Sequence, residues 1–522
     1  MDGSLKNVGI KEALRDASHL REIYDQSPLI TTALHKLLLA ILHRIFGPRD
    51  LNEWCSLWEM GEWNISKVAG YLDKWRNWFF LIDDQHPFYQ DRDDFNKNEL
   101  PVTKIAHEMA TGNNDTLFDH HYKEKEESWP LDKVARYIVT FQQYAVGGTQ
   151  GKAGRTEDGP LVRGVTVMAL GSNLFQTLAL NLVPLSREYT GFDHTSEDLP
   201  GWERVTARAA SNKGIKPLGY LDYLTWPSVG LRMIYNTEGK CEKIKMRQNL
   251  ASSKDYLDPM KSYKKNAKGE ILPVRFSVDR ALWRDSAAIF RVSDIESTTG
   301  TKRPAFLDLI QNVIVDKKVA IPPMTIVVTG MQMNKAKIMA WCLDRLPFEL
   351  DFITRVDVMN CLDYCIKISE RVANLFSIGK ESKGQDEKDL MPVRYLLKSL
   401  GFGKNDLEKE QSRDSLGFKR IFWSSLGVPF QELTHEACIQ PDLAHCIKVW
   451  KESLKNLALT TFYFATKHLL SSPSGIKAQI IAEKKFKGLL DYTLAKDAVL
   501  AASSEVEDNE DGSDIDDENG KD

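Results

Sequence analysis

Several groups of residues in this sequence carry side chains that could do chemistry. Asp119-His120-His121 sets a carboxylate beside two imidazoles, donors of the kind a hydrolytic metal site uses. Such a site needs further Asp or His ligands, and no companion Asp-x-Asp precedes this one. The tripeptide lies in the polar stretch TGNNDTLFDHHYKEKEESW at 111–129, which has no apolar period and otherwise reads as a solvated loop. Gly147-Gly148-Thr149-Gln150-Gly151-Lys152-Ala153-Gly154 approaches a phosphate-cradling loop. Its glycine spacing is one residue short, however, and Ala153 stands where a hydroxyl must bind magnesium. What remains is a glycine-rich connection whose backbone can approach a ligand closely, with Lys152 and Arg155 beside it. His435, Cys438, His445 and Cys446 have the chemistry of zinc ligands, but the adjacent His445 and Cys446 leave different faces of a helix, which makes four-fold closure awkward.

A basic stretch says more. Between Lys261 and Arg284 the sequence carries seven Lys or Arg against two acids, with Tyr263, Phe276 and Trp283 interleaved. Lys264, Lys265 and Lys268 surround Asn266 and Gly269, a pattern that predicts a hairpin tip carrying cations suited to phosphate or groove contact. Short lysine runs are also common as plain solvated surface. Further on, a strong β-run over Ala320–Thr329 is followed by a predicted turn and return from Gly330, which sets Asn334, Lys335 and Lys337 beyond the strand, where they could reach base edges or phosphates.

These segments need a scaffold, and the composition supplies one. The 522 residues are 42% apolar and 27% charged, ordinary globular values, and 12 Trp, 22 Phe and 16 Tyr can fill a sizeable core. Net charge is −4, of which the last 22 residues carry −9, so residues 1–500 sum to about +5. A mildly basic body permits nucleic-acid binding without demanding it. The acidic tail lacks aromatics and apolar clusters and reads as disordered. Seven scattered cysteines without a CxxC pair read as reduced thiols of a cytoplasmic protein. The run Leu37–Leu42 is too short to span a bilayer, and the start lacks the pattern of a secretory signal.

Helical periodicity opens at Ser27-Pro28, with Ser as N-cap and Pro at the first helical position, and ends at Gly47-Pro48. Helices are also predicted over 131–146 and 170–184. The middle third reads as β, with strands over Tyr220–Trp226, Leu231–Ile234 and Pro273–Ser277. After 350 only helical patterns remain, through Phe352–Phe376 and Ile447–Phe464, with a polar linker at 379–389 and a break at Ser471-Ser472-Pro473. The fold class is therefore α+β: a large mixed α/β domain over 1–348, a helical bundle over 349–500 and the tail over 501–522.

The sequence as a whole resembles the CasA family, the large subunit of the type I-E CRISPR Cascade complex. The resemblance rests on SPLITTALHKLLLAILHRIFGPR at 27–49, HPFYQ at 86–90, TLFDHH at 116–121, GPLVRG at 159–164 followed by GSNLFQTLALNLV, YLDYLTWPS at 220–228, and DPMKSYKKNAKGE leading to RALWRD at 280–285. It implies a mixed α/β domain followed by a four-helix bundle. It also implies a noncatalytic subunit that recognises a short protospacer-adjacent motif (PAM) in duplex DNA, helps strand opening and R-loop formation, and recruits a separate helicase-nuclease. Phe118, Asp119 and His120 then fall on a loop that docks near the guide RNA 5′ handle among the other Cascade subunits. Gly147, Gly148 and Gly151 fall on a PAM-facing glycine loop, and Lys264, Lys265 and Lys268 bracket a lysine finger. Asn334, Lys335 and Ala336 fall on a strand-separating hairpin. The family's opening strand with a Pro-Trp-Ile-Pro-like segment has no counterpart in this sequence. The docking loop carries five acids against two lysines, which leaves Phe118 and backbone groups to act. Some relatives carry a cysteine cluster in the β region; here only Cys241 lies nearby, so no zinc, other metal or cofactor is expected. Competing readings of the residues are a DHH-like metal-dependent phosphoesterase and a passive helical scaffold.

The tail cannot bury enough apolar area to offset its ordering entropy. A chain truncated after residue 500 is expected to unfold at the same temperature as the full chain in a calorimetric scan. A drop of several degrees would show that the tail packs.

Overall fold

The computed structural model describes residues 3–91, 99–108, 127–149, 155–156, 158–204, 211–253, 255–266, 268–277, 280–294, 300–334, 337–346, 348–379, 390–403, 406–407 and 417–495. It divides into two compact units, one formed by Met1–Ile366 with Gly427–Ile447, the other by Lys367–Leu426 with Lys448–Asp522. Among the described residues every strand precedes Pro347. Residue 348 is thus where the type of secondary structure changes. The compact units divide within the helices Val356–Asn374 and Leu443–Thr466, and Phe430 returns to the first unit, its ring stacked on Trp283 at 4.3 Å.

The first unit is organised around the helix Pro28–Ile45. Pro28 starts it as predicted, but the Ser27 side chain makes no capping bond; instead the Asp25 carboxylate accepts from the Ser27 amide at 3.0 Å. Gly47 lets the chain leave, since a Cβ there would lie 2.3 Å from the His43 carbonyl oxygen and 2.5 Å from Leu185. This is the one helix among the described residues long and apolar enough to cross a bilayer, but most of it is buried within the protein, including Lys36, His35 and His43. It packs on the helix Leu131–Tyr144 and on the antiparallel hairpin Thr325–Asn334/Lys337–Leu346. A second antiparallel sheet joins Val229–Tyr235, Cys241–Gln248 and Leu100–Pro101.

The second unit is helical. Pro392–Ser399, Phe418–Ser425 and Pro473–Ala495, with the later part of Leu443–Thr466, surround Phe376, Phe418, Phe422, Phe462 and Phe486, whose ring centroids lie 4.9–5.8 Å apart in successive pairs. The predicted break before Pro473 is present. The linker at 380–389 lies outside the described residues.

Two strand expectations and one turn expectation are corrected. Tyr220–Leu224 is a helix, because the Asp198 carboxylate accepts from the Leu221 and Asp222 amides at 3.2 and 2.9 Å and so satisfies its N-terminus. The strand expected over Pro273–Ser277 is Ile271–Pro273; beyond Val274 the chain turns aside to lay Phe276 over Gly330. Gly330 is not the start of a turn either: it sits within a strand, paired with Cys342, and the strand runs on to Asn334.

Lys36 is fully buried, donates to Gln143 Oε1 at 2.7 Å and lies 3.9 Å from the Tyr223 ring centroid. Burial lowers its pKa to about 7, against the opposing pull of Asp258. In the unfolded chain this lysine stays protonated up to about 10.5. The unfolded state therefore binds the extra proton between these values, and stability should rise with pH from about 7 toward 10.5. Lys36→Met removes this contribution. Its stability is expected to vary less with pH than wild type when urea unfolding is compared at about pH 7 and about pH 9.5. Parallel profiles would mean that Lys36 keeps its proton in the folded chain across this range.

Candidate nucleic-acid interface

The lysine and long hairpins converge on the strand Thr166–Leu170, which the chain enters from the glycine hairpin. On one edge it pairs antiparallel with Thr325–Thr329. On the other, Thr166 bridges Lys261, also antiparallel; the Val167 amide donates to the Met260 carbonyl at 2.9 Å and the Val165 amide to the Val274 carbonyl at 2.8 Å. Two neighbours that both run antiparallel to one strand run in the same direction as each other. From Thr329 and from Lys261 the chain therefore leaves in the same direction, past the N-terminal end of Thr166–Leu170. The chain reaches that same end from the glycine hairpin, where Gly148 pairs with Thr156 and Thr149 with Arg155.

The junction is locked by one buried cation and two close approaches. Lys261 Nζ donates to the carbonyls of Pro160 and Arg163 at 2.6 and 2.7 Å and lies 3.5 Å from Asp258. Burial lowers its pKa, while Asp258 acts in the opposite sense. A Cβ on Gly164, which has φ +85°, would lie 2.6 Å from Pro273 Cβ. One on Gly330 would lie 2.8 Å from Phe276 Cβ and 3.0 Å from Val165. Only glycine lets these backbones approach so closely. The base of the glycine hairpin is fixed by Asp158, which accepts from the Gly147 amide at 2.7 Å and is ion-paired to Arg163. Gly148 has φ +145°, a conformation that side chains rarely adopt.

The predicted lysine hairpin forms, with Tyr263–Lys265 antiparallel to Ile271–Pro273. Asn266 shapes its tip: its side chain accepts from the Lys268 and Glu270 amides at 3.0 and 2.9 Å. Lys264 is exposed, but its ammonium lies 3.6 Å from Asp285, which also takes Arg280 at 3.1 Å. Lys265 is half-buried, and its amide donates to the Gly300 carbonyl at 3.0 Å. Lys268 is exposed at the turn and makes no ion pair among the described residues. The cations counted in the sequence thus do not form one open patch. Lys261 is interior, and two others share one carboxylate.

Asn334 ends its strand in register with Lys337. Lys335, Ala336, Gly151 and the docking-loop residues Phe118, Asp119 and His120 lie outside the described residues, as does His121. The glycine segment continues into strand Arg155–Thr156 rather than into the helix that a phosphate-binding loop requires. No group of three His, Cys, Asp or Glu side chains among the described residues could hold a metal, and Cys361, Cys365 and Cys446 are buried free thiols. Sequence reasoning missed the parts played by Asp158 and Lys261. Asp158 opens the stretch that includes GPLVRG, while Lys261 was indistinguishable from its solvated neighbours because its partners are backbone carbonyls about a hundred residues away.

Comparison with known proteins places this scaffold. The chain is 29% identical over 506 residues to the CRISPR-associated protein CasA/Cse1 of Thermus thermophilus, with 94% of each covered. It superimposes on a structure of Thermus thermophilus CasA (Cse1) with a TM-score of 0.77 at 25% identity, over 94% of this chain and 96% of that one. It shares the fold of a chain of a CRISPR RNA-guided surveillance complex, with a TM-score of 0.73 at 17% identity over 94% and 96% of the two chains. The family model for CRISPR-associated protein Cse1 matches residues 1–461, and the chain belongs to that family.

Proposed function

We propose that this chain is the large, noncatalytic subunit of a type I-E Cascade-like, RNA-guided antiviral surveillance complex. In that role it recognises a PAM in duplex DNA, helps open the strands for R-loop formation and recruits a helicase-nuclease. Its partners are the other Cascade subunits, the guide RNA near its 5′ handle through Phe118, Asp119 and His120, and the target duplex. The helices after residue 348 supply the family's four-helix bundle. The observation that carries the reading is the common direction of two hairpins at one strand end, with the glycine hairpin feeding the same end. A narrow groove needs thin probes approaching together, and hairpin tips and glycine backbone are thin. On this reading Gly147, Gly148 and Gly151 face the PAM, and Lys268 leads Lys264 and Lys265 as the phosphate contact because it is carried outward. Asn334, Lys335 and Ala336 form the wedge. Readout in the minor groove is degenerate, so a relaxed PAM preference follows.

Gly148→Asp adds bulk and a negative charge where the backbone approaches phosphate. In the assembled complex it is expected to weaken PAM-dependent duplex binding, while pre-opened targets suffer less and assembly is unchanged. Gly148→Ala carries the backbone strain of φ +145° without the charge and separates the two effects. Equal losses on duplex and pre-opened DNA would remove the hairpin from PAM recognition.

Opening the first base-pair step sacrifices about 1.4 kcal/mol of stacking, which the wedge must offset by new contacts. Asn334→Ala with Lys335→Ala removes a base-edge hydrogen bond and a phosphate contact together. Strand opening beside the PAM, followed with a fluorescent base analogue at the first target position, is expected to slow. Negative supercoiling should partly restore it, because supercoiling lowers the opening cost independently of the protein. Loss of the one lysine contact should also reduce the slope of log affinity against log salt by roughly 0.9. Wild-type opening kinetics on relaxed DNA would make the turn an ordinary solvent hairpin.

A further inference from the structure

A cavity of about 150 Å³ is lined from the helix Leu131–Tyr144 by Gln142, from the strands Val229–Tyr235 and Cys241–Gln248, and from the HPFYQ segment. A cavity of about this size has room for an aromatic ring. One side is aromatic. Trp78 and His86 are stacked 3.7 Å apart at 8°, and Tyr89 stands at 60° to Trp202 with centroids 6.4 Å apart. The other side is polar but balanced in charge: Arg204 lies 3.3 Å from Asp222, and Arg247 lies 2.6 Å from Asp91. With each arginine matched to a carboxylate, the charges on this side sum to zero. The cavity favours a neutral, planar ligand with hydrogen-bonding groups on its edge.

Polar groups for such an edge are present and unused. The Tyr89 hydroxyl and the Asn249 side-chain amide have no hydrogen-bond partner among the described residues. His86 Nδ1 is buried without one. An Asn amide presents a donor and an acceptor side by side, the pair that matches the edge of a base. Tyr89 is also held at φ +56°, where a bulky side chain is rare; the Gln142 amide donates to its carbonyl at 3.3 Å. Backbone held in this way tends to mark ligand clamps. The backbone of Arg155–Thr156 lies against the strand Cys241–Gln248, which Asn249 follows directly.

We propose that this cavity is a nucleobase pocket, holding one unstacked base with its face on the aromatic side and its edge on Asn249. The base can come from a single strand or from a free nucleoside, and the experiment separates these sources. The inference takes from the proposed function only the idea that a strand is nearby.

The test uses the full chain alone, titrated with the four common nucleosides and with short single-stranded DNA, intact or carrying one central abasic position. The readout is quenching of tryptophan fluorescence, to which Trp78 and Trp202 contribute. Saturable quenching is expected, weakened roughly ten-fold by Asn249→Ala. Intact strands binding roughly ten-fold tighter than both nucleosides and abasic strands identify a strand as the source; equal binding of nucleoside and intact strand identifies a free nucleoside. Absence of saturation with every nucleoside, together with equal affinity for intact and abasic strands, overturns the pocket. The abasic comparison uses wild-type protein, so it stands even if Asn249→Ala fails to fold. No duplex and no PAM enter the titration, so failure here leaves the reading of the glycine hairpin to its own test.

Discussion

The strand Thr166–Leu170 is hydrogen-bonded on both edges, and the positions of the hairpins follow from that. A strand tied on one side alone leaves the direction of other hairpins open. Here Thr329 and Lys261 are both bound in register opposite Thr166, which sets both flanking strands antiparallel to it and sends both tips past the same end. A slip of one residue would turn every side chain to the opposite face. Two features oppose such a slip. Thr32 donates from the core helix to the Thr329 hydroxyl at 2.9 Å, and Gly330 and Gly164 each fit where any Cβ would collide.

The interior behind this junction holds ionisable groups. Lys36, Lys261 and Asp258 are all buried, and the Tyr223 hydroxyl donates to the Asp258 carboxylate. Burying charge costs free energy that pairing returns only in part, so these groups are a poor source of stability. Their effect is directional. An ammonium that needs the carbonyls of Pro160 and Arg163 can satisfy its donors in few arrangements, and each fixes the segment after the glycine hairpin against the root of the lysine hairpin. An apolar residue of similar volume would fill the space without specifying that alignment.

Much of this was legible in the sequence. The 3.6-residue period and Pro28 located the core helix, and the lysine turn was readable because Asn266 and Gly269 act within a few residues of each other. What was not legible depends on distant partners. Tyr220–Leu224 has the aromatic composition of a strand and becomes a helix because Asp198 satisfies its first amides. Gly330 reads locally as a turn, but its reason lies in Phe276, more than fifty residues earlier. Lys261 reads as a surface charge for the same reason. A count of basic residues therefore overstates the positive surface wherever long-range packing draws some of them inside.

That reduction bears on how strongly such a subunit could hold DNA by itself. Affinity for the phosphate backbone scales with the number of phosphates neutralised, through counterion release. Among the described residues Lys261 is interior and Lys264 and Arg280 converge on Asp285, so these three contribute less than their number implies. On the proposed function, thin hairpins on an aligned root gain more from shape than from charge. On the proposed function that is a sensible division of labour. Nonspecific attraction can come from the rest of the assembly and sequence from the guide, while the hairpin ends test the groove and the first base step. Such a reader gains from being weak alone, since strong backbone binding would hold it on the many duplex sites that lack the motif.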